Sequence, residues 1–453
     1  MGLTKQLENQ PAVRILIGGL FMEVFRIAIP LIFSRLGDLT ASLIYFSFVG
    51  HFIVDSLSSA SFALASISFL TVLGFGFFLP TLLKVAGSCD LNTSEIESEI
   101  VISIRLAILF GALIIGAIFF THTTTLDSIA SQSKTEEFRA LLTLSLSMPA
   151  IYLQITIFNF FNGVKKPQYE IIFTWLFNFS LLVTCTILIT TEPDKTLSKF
   201  TLTYSCLRCI FSALALLLFN LKIQQYIENF LHTRCLPPKE YVNYTIRGFP
   251  MALCLGGESL LFFLLSIISK NISDSSLSAY QASLHFISII YMISIGVGNA
   301  TGIVAARYYA ALDIQSIIKI YTQGIILGLT ILTPLLFGCF FFEENISIMY
   351  TSDAPTRKLI ENNIHISIPF LVFEFVYVVT RMTLRSMEDF WVPTLLTILI
   401  LNILGIVFSV SLLSLYDYTV QSIFLALVIC SFLLMLLLFW RLKSISNKTT
   451  TTD

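Results

Sequence analysis

Charge is what this chain has least of. Only 12% of its 453 residues are Asp, Glu, Lys or Arg, against roughly 25% in a soluble globular domain. So few charges cannot cover a water-facing surface of this size, which excludes an ordinary soluble protein. Neither sign dominates: 27 basic and 28 acidic residues leave a net charge of −1, so the basic footprint of a nucleic-acid binder is missing. The 8 cysteines are scattered, mostly through apolar stretches, without the spacing of a secreted disulfide scaffold. Cys206 and Cys209 spell CxxC, but inside an apolar helix with no second pair. There is no HExxH and no serine-nucleophile motif, and His51 and Asp55 stand at a loop with nothing convergent. These absences argue against an enzyme, a metal centre and a bound cofactor. The first apolar run has no small-residue cleavage site, so a removable signal peptide is not expected.

Oil is abundant instead, with 56% hydrophobic residues and 41 Phe. Crossing about 30 Å of hydrocarbon takes about 20 apolar residues as a helix, and such runs recur. Twelve are expected, at 23–50, 57–84, 100–120, 139–161, 169–190, 199–222, 244–270, 277–307, 318–342, 360–385, 391–415 and 420–441. Short polar punctuation such as DLNTSEIESE (90–99) and TEPDKT (191–196) separates them. The fold class is therefore an all-α polytopic membrane protein embedded in a lipid bilayer. Lys and Arg of the short loops collect on the side carrying both termini, with Lys84, Lys165, Lys166, Arg247 and Arg441 among them. This places both ends in the cytoplasm.

The chain also repeats itself. Displaced by 220 residues, Pro30 falls on Pro250, Gly76 on Gly296 and Pro149 on Pro369. Asp38 follows Pro30 by the same eight residues that separate Glu258 from Pro250, and Gln154 follows Pro149 as Glu374 follows Pro369, by five. The expected organisation is a six-helix lobe over 1–221, a linker over 222–244 containing Pro237-Pro238, a second six-helix lobe over 245–443 and a polar tail over 444–453. Six spans return the chain to its starting side, so the lobes should be related by a pseudo-twofold axis along the membrane normal. In transporters of that build, substrate is carried at the lobe interface.

Ionisable groups inside such spans cost about 2.5–3.5 kcal/mol at the bilayer centre and mark functional sites by default. Glu258, in GFPMALCLGGESLLFF (248–263), has no basic neighbour within a turn or two. Desolvation disfavours the charged form of a carboxyl, which suits it to exchange a proton or to trade one for a cation. Glu374 and Arg381 are seven residues apart on one helix face and can pair. Asp38 lies three residues after Arg35 and either couples transport or only forms an ion pair. Tyr45, Phe262, Tyr280, Gln281 and Tyr377, with Gln154, Asn159 and Asn178, are candidates to line a cavity, although buried amides also serve as interhelical hydrogen-bonding groups. Pro30 and Pro250 each remove a backbone hydrogen bond from a long span, giving either a hinge or a static kink.

These residues carry a family resemblance. FRIAIPLIFSRL…FVGHFIVDSLSSASFA resembles the opening of the multidrug and toxic compound extrusion (MATE) transporters. GFPMALCLGGESLLFFLLSII (248–268) is similar to that family's seventh helix, SAYQASLHFISIIYMISIGVGNATGIVAARYYA (278–310) to its eighth, and FEFVYVVTRMTLRSMEDFWVP (373–393) to its tenth. The resemblance implies a secondary antiporter of a bacterial inner (plasma) membrane. It would export organic cations or other amphipathic small molecules against a gradient of H+ or Na+, by alternating access. It would need no cofactor and no nucleic acid, and could act as a monomer. The resemblance assigns coupling to Glu258 and Glu374. An aspartate many members carry in the first helix is here Tyr45, with Asp38 two turns earlier. Two other readings stay open: a dedicated exporter of a secreted metabolite such as a siderophore, and a flippase for a lipid-linked precursor, which would need a basic cavity.

Overall fold

The computed structural model describes residues 11–53, 57–88, 94–126, 132–191, 197–223, 236–351, 353–415 and 419–449. They are almost wholly helical. In hydrocarbon every backbone N–H and C=O must be satisfied within the protein, and a helix does this locally. Twelve helical spans are long and apolar enough to cross a membrane, from Gly19–Val49 to Gln421–Asn447, in register with the twelve expected. Large apolar side chains such as Phe120, Phe179, Leu221, Phe341 and Trp440 stand exposed on their outer faces, as lipid-facing surfaces require.

The helices are α1 (Pro11–Phe52), α2 (Leu57–Phe77), α3 (Leu79–Gly87), α4 (Ser94–Leu126), α5 (Gln132–Ser145), α6 (Met148–Gly163), α7 (Gln168–Thr191), α8 (Leu197–Ile223) and α9 (Pro238–Ile272). They continue as α10 (Asp274–Ala310), α11 (Ile314–Phe341), α12 (Glu343–Tyr350), α13 (Ala354–Ser386), α14 (Trp391–Leu396), α15 (Gly405–Leu415) and α16 (Gln421–Thr449). Three spans are interrupted. Phe78 separates α2 from α3, Ser147 precedes α6 and its Pro149, and a π-helical stretch, Thr397–Leu404, joins α14 to α15. The repeat is thus imperfect in detail: Pro149 opens a helix, whereas Pro369 lies inside α13.

Helix ends outside the spans follow ordinary capping chemistry. Asp313 Oδ1 accepts from the Ser316 N–H at 3.0 Å to start α11, and Asp353 Oδ2 accepts from the Thr356 N–H at 3.1 Å to start α13. Hydrogen bonds from Ser316 and from Thr356 hold the two carboxyls below the usual aspartate range. Lys165, Leu312 and Glu388 adopt left-handed φ values of 60°, 59° and 64° directly after helices. The residue that follows each one donates back to a carbonyl five positions earlier, as in Lys166 N to Phe161 O at 2.8 Å and Asp389 N to Leu384 O at 3.1 Å. Helices commonly end this way, though usually with glycine.

The chain forms two compact units. One comprises residues 33–253, the other residues up to 32 together with those from 254 onward. The boundaries therefore fall inside α1 and α9, two to three residues beyond Pro30 and Pro250. The sequence suggested the 222–244 linker instead, of which 224–235 lie outside the described residues. Sequence punctuation marks where a chain leaves the membrane, whereas packing decides which unit a helix segment joins. In the first unit Gly248 of α9 abuts the Phe77 carbonyl, and Tyr244 bonds Thr81 at 2.8 Å. In the second, a Cβ on Gly296 would come within 2.9 Å of the Ile32 backbone, so α1 before residue 33 lies directly on α10. The second unit is built around α10, α13 and α16.

Candidate functional site

Each unit buries an ion cluster. In the second unit, α9 supplies Glu258 and Cys254, α10 supplies Tyr291, and α13 supplies Glu374, Tyr377, Arg381 and Arg385. Arg381 is 2% exposed and Glu258 6%. Arg381 Nη1 donates to Glu258 Oε1 and also faces Cys254 Sγ at 3.2 Å. The Tyr291 hydroxyl donates to the other oxygen, Oε2, at 3.2 Å. Both carboxylate oxygens of Glu258 are therefore occupied by donors. The guanidinium lies 5.5 Å from the centre of the Tyr377 ring.

Glu374, 3% exposed, stands one turn before Tyr377, which hydrogen-bonds its carboxyl. Its Oε2 has no hydrogen-bond partner. The expected Glu374–Arg381 pair is thus not what forms: Arg381 reaches across to α9, and the seemingly isolated Glu258 receives its counter-charge from a residue 123 positions away. Arg385 is also buried, and its Nε and Nη2 lack partners.

In the first unit Arg35 bridges two carboxylates, Asp38 Oδ2 at 3.2 Å and Glu170 Oε1 at 3.3 Å, and lies 4.4 Å from the centre of the Phe75 ring. Asn162 Nδ2 donates to Glu170 Oε2 at 2.6 Å. The Asp38 side chain retains 34% exposure, more than any other carboxylate of the two clusters. Tyr45 is fully buried and packs edge-on against Tyr204 at 5.7 Å. The amides have structural partners: Asn159 Nδ2 donates to the Phe78 carbonyl at the α2–α3 break, and Asn178 Nδ2 to the Gly37 carbonyl, both at 2.8 Å. Gln154 is buried in the middle of α6. Tyr280 bonds the Phe262 carbonyl at 3.1 Å, joining two candidates, while Gln281 is exposed. Pro30 and Pro250 lie within unbroken helices.

Sequence reasoning missed Tyr291, Glu170 and Glu99. Glu170 stands in the first turn of α7 and reads as a helix-start acid. Tyr291 is one of 16 tyrosines, with no local charge to single it out. Glu99 falls within the expected polar loop, yet it is buried and accepts from Arg247 Nη2 at 2.6 Å. Among the described residues no group of three His, Cys, Asp or Glu side chains is placed to hold a metal.

The MatE family model matches residues 250–411, the stretch holding Glu258, Tyr291, Glu374, Tyr377 and Arg381. A probable multidrug resistance protein NorM of Buchnera aphidicola is 24% identical over 400 residues, covering 81% of this chain and 84% of that one. Its counterpart in Caulobacter vibrioides is 23% identical over 387 residues, covering 83% and 81%. The fold superposes on a crystal structure of MATE in the bent conformation with a TM-score of 0.86, at 14% identity, covering 98% of this chain and 99% of that one. It superposes on an outward-facing MATE family transporter with a TM-score of 0.85, at 15% identity, covering 96% and 97%. Residues 250–411 thus resemble MatE in sequence, and the chain as a whole has the fold of the MATE structures. The solved structures it resembles include a multidrug resistance MATE family transporter, and twelve of its own helices are long and apolar enough to cross a membrane.

Proposed function

We propose that this protein is a MATE-family secondary antiporter that exports cationic or amphipathic small molecules by alternating access, driven by a proton or sodium gradient. It works as a monomer in a bacterial inner membrane, with both termini cytoplasmic. The observation that carries the reading is the buried cluster of Glu258, Glu374 and Arg381. Two carboxyls share one nearby guanidinium in a low-dielectric interior, where a change in the charge of one acid alters the field on the other. Ion binding and substrate binding are linked when each changes the conformational equilibrium, and such a cluster is the group able to do so. Asp38, with its partly exposed carboxylate, is a second candidate. Pro30 and Pro250, close to where α1 and α9 pass between units, are the candidate hinges. The relatives called multidrug resistance proteins support a broad substrate range. A dedicated metabolite exporter is the competing reading.

The test is efflux of a fluorescent organic cation from proteoliposomes under an imposed proton or sodium gradient, with the intact chain and with Glu258→Gln. Loss of gradient-driven efflux in a folded Glu258→Gln protein is expected. Unchanged efflux refutes the role of Glu258, and no efflux by the intact chain favours the dedicated exporter.

A further inference from the structure

Sodium and protons make different demands on a carboxylate. A metal cation needs carboxylate oxygens free to coordinate it, together with further oxygen ligands. A proton needs only one accessible lone pair. At Glu258 each oxygen already accepts a hydrogen bond, Oε1 from the charged Arg381 and Oε2 from the Tyr291 hydroxyl. A free cation placed against this carboxylate would also stand beside a fixed guanidinium that cannot shed its charge. Arg381 is locked there by burial, and its Nη1 also faces Cys254 Sγ at 3.2 Å. Glu374 differs: its Oε2 is buried but has no hydrogen-bond partner, and no basic side chain bonds the carboxyl. The groups acting on Glu374 are Glu258 on α9, Tyr291 on α10, and Tyr377 and Arg381 on α13, with Arg385 one turn beyond Arg381.

We propose that Arg381 is a tethered counter-ion that occupies the cation position at Glu258, excludes sodium from it, and leaves Glu374 as the carboxyl that exchanges a proton. Arg381 is thus a specificity-determining residue for the coupling ion. When Glu374 is ionised, a second carboxylate acts through space on the guanidinium that is bonded to Glu258. When Glu374 takes up a proton, the guanidinium belongs to Glu258 alone. This inference rests on the antiporter reading for its role in transport, but its ion selectivity can be read without any substrate.

The experiment measures thermal stability of the purified full-length protein in detergent, comparing NaCl with KCl at equal ionic strength, since a ligand that binds only the folded state raises its melting temperature. The intact protein should show no sodium-specific rise. Arg381→Gln should gain one, and Glu258→Gln/Arg381→Gln should lose it again. A sodium-specific rise in the intact protein overturns the proposal, as does its absence in folded Arg381→Gln. If Arg381→Gln does not fold, proton uptake on substrate-free acidification of the intact protein and of Glu374→Gln decides. The variant should take up fewer protons, and equal uptake overturns the assignment of Glu374. Failure of efflux with every tested substrate would sink the antiporter reading while leaving these ion measurements interpretable.

Discussion

Removing both acids that serve Arg381 should cost far more than removing each in turn suggests. In Glu258→Gln the guanidinium loses its ion pair, but the amide oxygen still accepts a hydrogen bond. Glu374, two turns away on the same helix with one oxygen unpartnered, becomes the remaining counter-charge. A charged hydrogen bond is worth about 1.5–3 kcal/mol and a neutral acceptor keeps part of it, so the single substitution should cost about 1–2 kcal/mol. At a pH where Glu374 is ionised, Glu374→Gln removes a charge that both repels Glu258 and attracts Arg381, so its net effect should stay within about 1 kcal/mol of zero. With both acids replaced, a guanidinium only 2% exposed has no counter-charge in the cluster, and breaking a buried pair in this way costs about 3–5 kcal/mol. With Glu374→Gln taken as neutral, the coupling energy is then about 1–4 kcal/mol, overlapping the range found for residues of one network. Equilibrium unfolding of the four proteins in mixed micelles closes the cycle. Additivity within about 0.5 kcal/mol would refute the reasoning that one guanidinium answers to two carboxyls.

Three further outcomes follow from the same structure. Arg35→Gln should lower the melting temperature more than Asp38→Asn, because Arg35 serves both Asp38 and the buried Glu170, whereas Asp38 is partly exposed; the reverse order would place the weight of that cluster on Asp38. Gly328→Ala should destabilise by about 1–3 kcal/mol through overpacking, since its new methyl group would run into the Phe375 ring beside Glu374, and Phe375→Leu in the same chain should recover part of the loss in a thermal melt. Asp313→Ala should cost about 0.5–2 kcal/mol by uncapping α11. Because the Asp313 carboxyl is held below its usual range, its contribution is complete above that range and is lost as pH falls through the folded-state value. The deficit of Asp313→Ala should therefore be constant at neutral pH and shrink in acid melts.

The spans were legible because hydrocarbon thickness imposes one length on every helix, and polar punctuation such as TEPDKT survives between them. The acids were legible for the same reason: Glu258 and Glu374 stand out against Phe and Leu. Their pairing was not. Glu374 and Arg381 share a helix face, so proximity along the chain suggested a bond that packing gives to Glu258 instead. Tyr291 and Glu170 became visible only through the side chains they touch. The amides illustrate the converse. Asn159 and Asn178 look like cavity groups in a list of buried polar residues, yet each holds a backbone carbonyl of a neighbouring helix. Of these carbonyls, that of Phe78 lies at a helix break no hydropathy pattern marks.

α9 explains how a carboxylate comes to stand in so apolar a stretch. Its first part is fastened to one compact unit by Tyr244 to Thr81 at 2.8 Å, by Arg247 to Glu99 at 2.6 Å and by Arg105 to the Tyr241 hydroxyl at 2.8 Å. At Pro250 the chain has no N–H to return to the Ile246 carbonyl, so the helix is weakest there. Two turns further on, now in the other unit, stands Glu258, whose charge is matched by Arg381 of α13. A carboxylate in a loop could change its pairing without consequence for the helices. Glu258 instead stands on a helix whose first part, up to residue 253, belongs to one compact unit and whose remainder belongs to the other, with Pro250 between the fastened first part and the acid.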